Sequence, residues 1–199
     1  MTTSIRIFDI FFSIAGLILL LPLFIVIAVF IKINSRGTVF FRQQRVGKDN
    51  KDFTIYKFRT MIADAARPSS FLTIGSKDKR ITTAGYYLRK YKLDELPQLI
   101  NVLKGEMSMV GPRPELREYV DLYTEEQKKI LSVLPGITDW ASLQYRQEND
   151  LLAAAPDPEQ YYIEKIMQAK LQLNKRYIEN KNIGNYFFII FQSLFAIKK

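Results

Sequence analysis

Residues Ile10 to Ile33, IFFSIAGLILLLPLFIVIAVFIKI, run for about 22 uncharged residues before Lys32, the length a helix needs to cross the hydrocarbon of a bilayer. A soluble core helix rarely stays apolar all round for so long, so this stretch constrains everything that follows. It lacks the small-residue cleavage site of a secretory signal and is too long for one. Pro22 sits at its centre, where a missing N–H and a clash with the preceding turn favour a kink or break. Positive charge flanks both ends, Arg6 before and Lys32, Arg36, Arg42 and Arg45 after. Basic flanks stay on the cytoplasmic side, which puts both ends on one face of the membrane and makes the segment turn back near Pro22. A straight helix that crosses the bilayer is the alternative, and the residues alone do not choose. Asp9, at the mouth of the run, is expected to cap or to pair with Arg6.

The 199 residues suffice for one domain with a sizeable core beside this anchor. There is no cysteine, so disulfides and thiolate metal sites are excluded. There is no histidine either, which removes the commonest general base, the triads that depend on it and most zinc sites. Chemistry must run on carboxylates, Lys, Arg and hydroxyls, and any metal must be held by oxygen, which points to magnesium. A formal charge of +9 calls for an anionic partner: nucleic acid, a lipid surface or a phosphorylated substrate.

After a turn at Ser35-Arg36-Gly37, two strands are expected at Thr38 to Arg42 and Phe53 to Thr60, joined through Val46-Gly47-Lys48-Asp49-Asn50. Alternation in the second puts Ile55, Lys57 and Arg59 on one face, where Lys57 and Arg59 could reach one anion; a solvated hairpin face is the plainer reading. Ala63 to Lys79 is a polar connection. Thr82 or Thr83 caps a short helix to Lys90, which delivers Arg89 five residues before Asp94.

Leu93, Leu96, Leu99, Ile100 and Leu103 recur at helical spacing and predict a helix. Asp94 falls at or near its N-cap and Pro97 in its first turn, where a missing donor is tolerated. A phosphate would meet a positive dipole end there. An Asp cap followed by Glu95 is also how an ordinary helix begins. The helix gives way to Gly111-Pro112-Arg113-Pro114, whose prolines limit where Arg113 can point. A second amphipathic helix is expected from Glu115 to Leu131, with Leu116, Val120, Tyr123 and Ile130 inward. Arg113 could instead pair with Glu115 or Glu118, and Arg117 reads as a solvated helix residue. Leu134-Pro135-Gly136-Ile137 is a turn, and Trp140 beyond it lies either at headgroup level or in the core. A long amphipathic helix from Glu159 to about Asn180 precedes the tail NYFFIIFQSLFAIKK, too short to span and so expected on the interface or against the domain.

The proline-broken N-terminus, the strand FTIYKFRTM, the block LDELPQLINVLKGEMSMVGPRP and LPGIT followed by Arg146 together resemble the bacterial sugar transferases, small monotopic phosphoglycosyl transferases. The likeness covers nearly the whole chain. It implies an α+β, mostly helical fold with a small β-hairpin, interfacial amphipathic helices, and residues 1–36 as a re-entrant membrane helix broken at Pro22. Residues 37–199 are then the catalytic domain on the cytoplasmic face of the bacterial cell membrane. The implied reaction moves a phosphosugar from a UDP-sugar to polyprenyl (undecaprenyl) phosphate and releases UMP, the first membrane step of a surface glycan pathway. Asp94 becomes the nucleophile that carries an aspartyl-phosphosugar intermediate. Glu95 assists as a base or helps Asp94 hold Mg2+. Arg89, Arg113 and Arg146, then Lys57 and Arg59, are the phosphate-binding candidates. Membrane lipid is a partner on this reading, nucleic acid is not, and a homo-oligomer stays open. Two departures stand out: relatives often carry Ser-Pro where this chain has Leu21-Pro22, and Gly-Leu-Ala-Gln where it has Asp139-Trp140-Ala141-Ser142, a stretch expected to bear on sugar choice. The rival class is a non-catalytic, membrane-anchored basic module that binds anionic lipid or nucleic acid; it gives no reason for the Asp94-Glu95 pair.

Overall fold

The computed structural model describes residues 3–62, 75 and 78–196; the polar connection expected over Ala63 to Lys79 lies almost wholly outside them. The apolar run forms two helices, α1 (Thr3–Leu19) and α2 (Leu21–Asn34), bent by 61°. Pro22 lies in the first turn of α2, where its missing N–H costs nothing, and the break falls just before it at Leu20 (φ −91°, ψ 1°). Among the described residues, no single helix is long and apolar enough to cross a membrane.

The far ends of the pair are tied to one body. Arg6 donates to the carbonyls of Val102 and Leu103 at 2.7 and 3.1 Å, setting a positive charge at the C-terminal end of a helix. Asp9 does not pair with Arg6: fully buried, it accepts from the Ser108 hydroxyl, the Met109 N–H and the Tyr186 hydroxyl. At the other end, the Ala84 N–H donates to the Asn34 side chain, and Arg59 donates to the carbonyls of Ser35 and Arg36. The elbow between them carries exposed Ile18, Leu19 and Leu21.

The hairpin pairs β1 (Phe40–Val46) with β2 (Asp52–Phe58), from Phe40 opposite Phe58 to Val46 opposite Asp52. It runs further into the expected loop than the turn-forming residues suggested, because Asp49 and Asn50 adopt left-handed φ of 55° and 60° and reverse the chain in little space. Asn101, fully buried, binds the edge of β2: it donates to the Thr54 carbonyl and accepts from the Tyr56 N–H.

Thr82 accepts from the Gly85 N–H and caps α3 (Thr83–Lys90), as expected. The next helix starts later than its apolar period predicts. Lys92 takes a left-handed φ of 55°, Leu93–Glu95 form one tight 3-10 turn, and α4 occupies Gln98–Lys104. Asp94 is therefore inside the turn and is not an N-cap.

β3 (Ser108–Val110) follows, and the expected Glu115-to-Leu131 helix is broken into α5 (Arg117–Val120), α6 (Glu125–Lys128) and a 3-10 turn. Thr124 explains the break, since its side chain and that of Gln127 form a reciprocal capping box that starts a new helix mid-segment. Pro135-Gly136 leads into β4 (Gly136–Thr138), which pairs in parallel with β3, a second two-stranded sheet that the pattern did not announce. Gly136 and Gly111 approach so closely across this pair that a Cβ on either would collide with backbone.

α7 (Trp140–Gln144) and α8 (Glu148–Ala154) come next, then α9 (Pro158–Tyr161), a π-helical turn at Tyr162–Ile166 and α10 (Met167–Glu179). The largest core cluster gathers Tyr119, Val120, Ile130, Leu152, Tyr162 and Leu171 from these elements. α11 (Ile183–Ala196) buries Tyr186 and Ile189 against the domain and leaves Phe191, Leu194 and Phe195 exposed. Trp140 packs on Phe188 of α11, with ring centroids 5.6 Å apart.

Candidate active site

The 3-10 turn aims two adjacent carboxylates into a cleft of about 2290 Å³, and each is 8% exposed. Glu95 is fully engaged there. Arg113 donates Nη1–H to Oε2 at 3.1 Å and Nη2–H to Oε1, a two-point pairing, and Lys57 Nζ donates to Oε1 at 3.0 Å. Burial works against the Glu95 charge, but Arg113 and Lys57 outweigh it and hold the carboxyl well below the usual range. Glu95 in turn raises the Arg113 guanidinium.

Among the described residues Asp94 has no hydrogen-bond or ion-pair partner, and its buried Oδ1 is left unpaired. Burial, and then the neighbouring Glu95 charge, push its carboxyl above the usual aspartate value, while Lys57, Arg89 and Lys92 pull the other way. An exposed anion would gain little from those cations, but a buried one, screened from water, feels all three. Asp94 thus keeps an unpaired carboxylate oxygen next to a carboxylate whose oxygens are taken.

Asp139 holds the Arg113 backbone, and Arg45 and Tyr162 hold the two residues that follow it. Asp139 Oδ2 accepts from the Arg113 N–H at 3.3 Å while its Oδ1 caps α7 through the Ser142 N–H at 2.6 Å. Arg45 reaches the Pro114 carbonyl at 3.4 Å. Glu115 accepts from the Tyr162 hydroxyl at 2.6 Å and from Arg45 as an ion pair at 3.9 Å.

Of the residues named from sequence, Asp94, Glu95, Lys57, Arg89 and Arg113 converge. Arg89, half-buried, donates Nε–H to Thr60 Oγ1 at 3.0 Å and lies close enough to act on Asp94. Arg113 pairs with Glu95, not with Glu115 or Glu118. Arg146 is exposed on the cleft wall with no partner among the described residues. Arg59 lines the cleft but does not join Lys57 on one anion: β2 ends at Phe58, so the alternation stops short of Arg59, which turns to the end of α2. Arg117, read as a solvated helix residue, is partly exposed and pairs with Asp52 and Asp121.

Lys92, Asp139, Arg45, Glu115 and Tyr162 were missed as site residues. Asp139 had a signal, an acid directly before a short helix where relatives carry glycine. The others lie far apart in the chain and come together only through the fold. Among the described residues no group of three or more carboxylates clusters as a metal cage, and Asp94 is the one of the two adjacent carboxylates with an oxygen left unpaired.

The model of the family described as bacterial sugar transferase matches residues 2–199. The UDP-N-acetylgalactosamine-undecaprenyl-phosphate N-acetylgalactosaminephosphotransferase of Aeromonas hydrophila is 45% identical over 139 residues, 68% of this chain and 32% of its own length. The uncharacterized sugar transferase EpsL of Bacillus subtilis is 48% identical over 124 residues, 62% and 59% of the two lengths. The exopolysaccharide production protein ExoY of Rhizobium meliloti is 30% identical over 206 residues, 96% of this chain and 84% of its own length. The chain thus spans less than two thirds of the first two relatives and most of the third. With a match that runs almost from end to end, this chain belongs to the bacterial sugar transferase family.

Proposed function

We propose that the protein is a phosphoglycosyl transferase that moves a phosphosugar from a UDP-sugar to undecaprenyl phosphate and releases UMP, opening a surface polysaccharide pathway at the membrane. The observation that carries this is the buried, unpartnered Asp94 Oδ1 among Lys57, Arg89 and Lys92. That oxygen attacks the sugar-bearing phosphorus, the bond from that phosphorus to the bridging oxygen breaks, and UMP leaves with the electron pair. A phosphate oxygen of the lipid acceptor then attacks the same phosphorus and displaces Asp94, giving the lipid diphosphosugar. Covalent transfer suits one site that must serve a soluble donor and a lipid acceptor in turn.

Arg113 and Lys57, fixed by Glu95, stabilise the charge on the phosphates. Glu95 anchors those cations and does not move a proton: it is a weak base, and a phosphate acceptor is already an anion. Arg89 and Arg146 supply further anion contacts. Mg2+ fits this donor set, since it is commonly held by one carboxylate with substrate phosphates and water; Asp94 is the group to meet it, and when bound it neutralises charge on the diphosphate.

Residues 1–36 serve as a re-entrant anchor. Both ends of the bent pair are tied to the same body while its elbow is apolar and exposed, which suits a segment that enters one leaflet and leaves on the side of the domain. The exposed face of α11 lies on the same membrane surface, the cytoplasmic one.

UMP release from a panel of UDP-sugars, with undecaprenyl phosphate and Mg2+ in lipid discs, tests the reading against Asp94→Asn. Release lost in the variant is expected; equal release from both proteins removes Asp94 as the nucleophile.

A further inference from the structure

Past Arg113 the cleft continues between α7, α10 and the start of α5, and there its chemistry changes. Charges in this part neutralise one another. Lys170 Nζ meets Glu148 at 2.5 Å and stands over the Tyr162 ring, 5.2 Å from its centroid, while Arg45 and the Tyr162 hydroxyl both turn to Glu115. Lys170, Glu148, Arg45 and Glu115 are thus paired off among themselves.

What this chamber does offer is hydrogen-bonding capacity, most of it neutral, with no protein partner among the described residues. Among the described residues, Tyr119, 4% exposed, has a buried hydroxyl without a hydrogen bond, and Asn174, 6% exposed, has an unpaired carbonyl oxygen. Ser142 Oγ is likewise buried and unpaired, as is Arg45 Nε. All four residues line the cleft. Native structures pair nearly all buried polar atoms, so an unpaired group of this kind calls for an explanation. Tyr119 and Tyr162 are in ring contact at 4.9 Å, Lys170 stands over Tyr162, and Asn174 is one turn of α10 beyond Lys170. Helix α7, which carries Ser142, packs on α10. One donor, one acceptor and two hydroxyls that can do either match a ring bearing several hydroxyls.

We propose that Tyr119, Ser142 and Asn174 form the subsite for the sugar ring of the donor, which makes them specificity-determining for this chain. This rests on the phosphoglycosyl transferase reading. It also gives the departure at residues 139–142 a physical role: Asp139 caps α7 and fixes the Arg113 turn, and Ser142, three residues on, presents a small hydroxyl to the sugar.

The test compares a donor with the same nucleotide lacking the sugar. UDP-N-acetylgalactosamine, UDP-glucose and UDP are titrated calorimetrically into full-length protein in lipid discs, in an Asp94→Asn background that prevents turnover. The background protein binds one UDP-sugar more tightly than UDP. Tyr119→Phe, Ser142→Ala and Asn174→Ala each narrow that preference about 2- to 10-fold, the worth of one neutral hydrogen bond, and leave UDP affinity unchanged. Tyr119→Phe removes one oxygen only, and an unaltered melting temperature confirms that the fold is kept. Parallel loss of UDP and UDP-sugar would overturn the proposal by assigning the chamber to the nucleoside. No preference for either UDP-sugar over UDP, or a preference that all three variants retain, would overturn it as well. UMP release with Asp94 restored reads the transferase assignment separately: a sugar preference without release defeats that assignment and leaves the subsite standing.

Discussion

Asp94 and Lys170 line the same cleft, yet Lys170 closes on Glu148 at 2.5 Å whereas Asp94 keeps a buried oxygen that is unpaired among the described residues. At Lys170 the fold satisfies its own charge and gains stability from it. At Asp94 it leaves a buried carboxylate against its electrostatic preference, with cations near enough to hold an incoming anion. Strain of this kind persists where a ligand or reaction relieves it.

The sharpest way to break the contrast is to remove the open oxygen. Asp94→Asn should cut UMP release by at least about 10³-fold, the scale seen when a nucleophile is lost, while melting no lower than the native protein because a buried unpaired charge has gone. Loss of folding in Asp94→Asn would place the residue with Lys170 as a structural group.

Next come the cations around Glu95. Arg113→Lys keeps the charge but loses the planar two-point fork, and kcat should fall about 10²-fold. Glu95→Gln, which frees both Arg113 and Lys57, should cost a similar factor. Single-turnover UMP release measures both.

The acid limb of the activity profile sharpens the same contrast. Asp94 must be ionised to attack, and burial with Glu95 beside it raises its pKa, so activity should fall with decreasing pH at values above the usual aspartate range. Glu95→Gln removes a neighbouring negative charge and moves that limb to lower pH. Lys57→Met removes a positive one and moves it higher.

The smallest effect belongs to the paired end. Glu148→Gln strands the Lys170 ammonium and should lower stability by about 1 kcal/mol, discounted for partial exposure, in a urea melt.

Pro22 made the break in the apolar run legible from the chain, since a proline acts through its own backbone whatever surrounds it. The Asp94-Glu95 pair was legible too, but its setting was not. The leucine period promised a helix from Leu93, and left-handed Lys92 with a 3-10 turn delayed it, a backbone choice that no lysine announces. Thr124 and Gln127 did carry the capping-box spacing, yet the continuous apolar face on either side concealed the break. Arg59 misled because strand alternation was extended two residues beyond β2, to Thr60. The roles of Asp139, Arg45 and Tyr162 depend on partners 26 to 69 residues away, and only the fold supplies those.

The most direct measurement omits the acceptor. Protein mixed with its UDP-sugar and Mg2+, without undecaprenyl phosphate, should release one equivalent of UMP and gain the mass of one phosphosugar on the peptide that contains Asp94. UMP release that waits for the lipid phosphate, with no mass added to the protein, would contradict attack by Asp94 and with it the account of why that oxygen is left open.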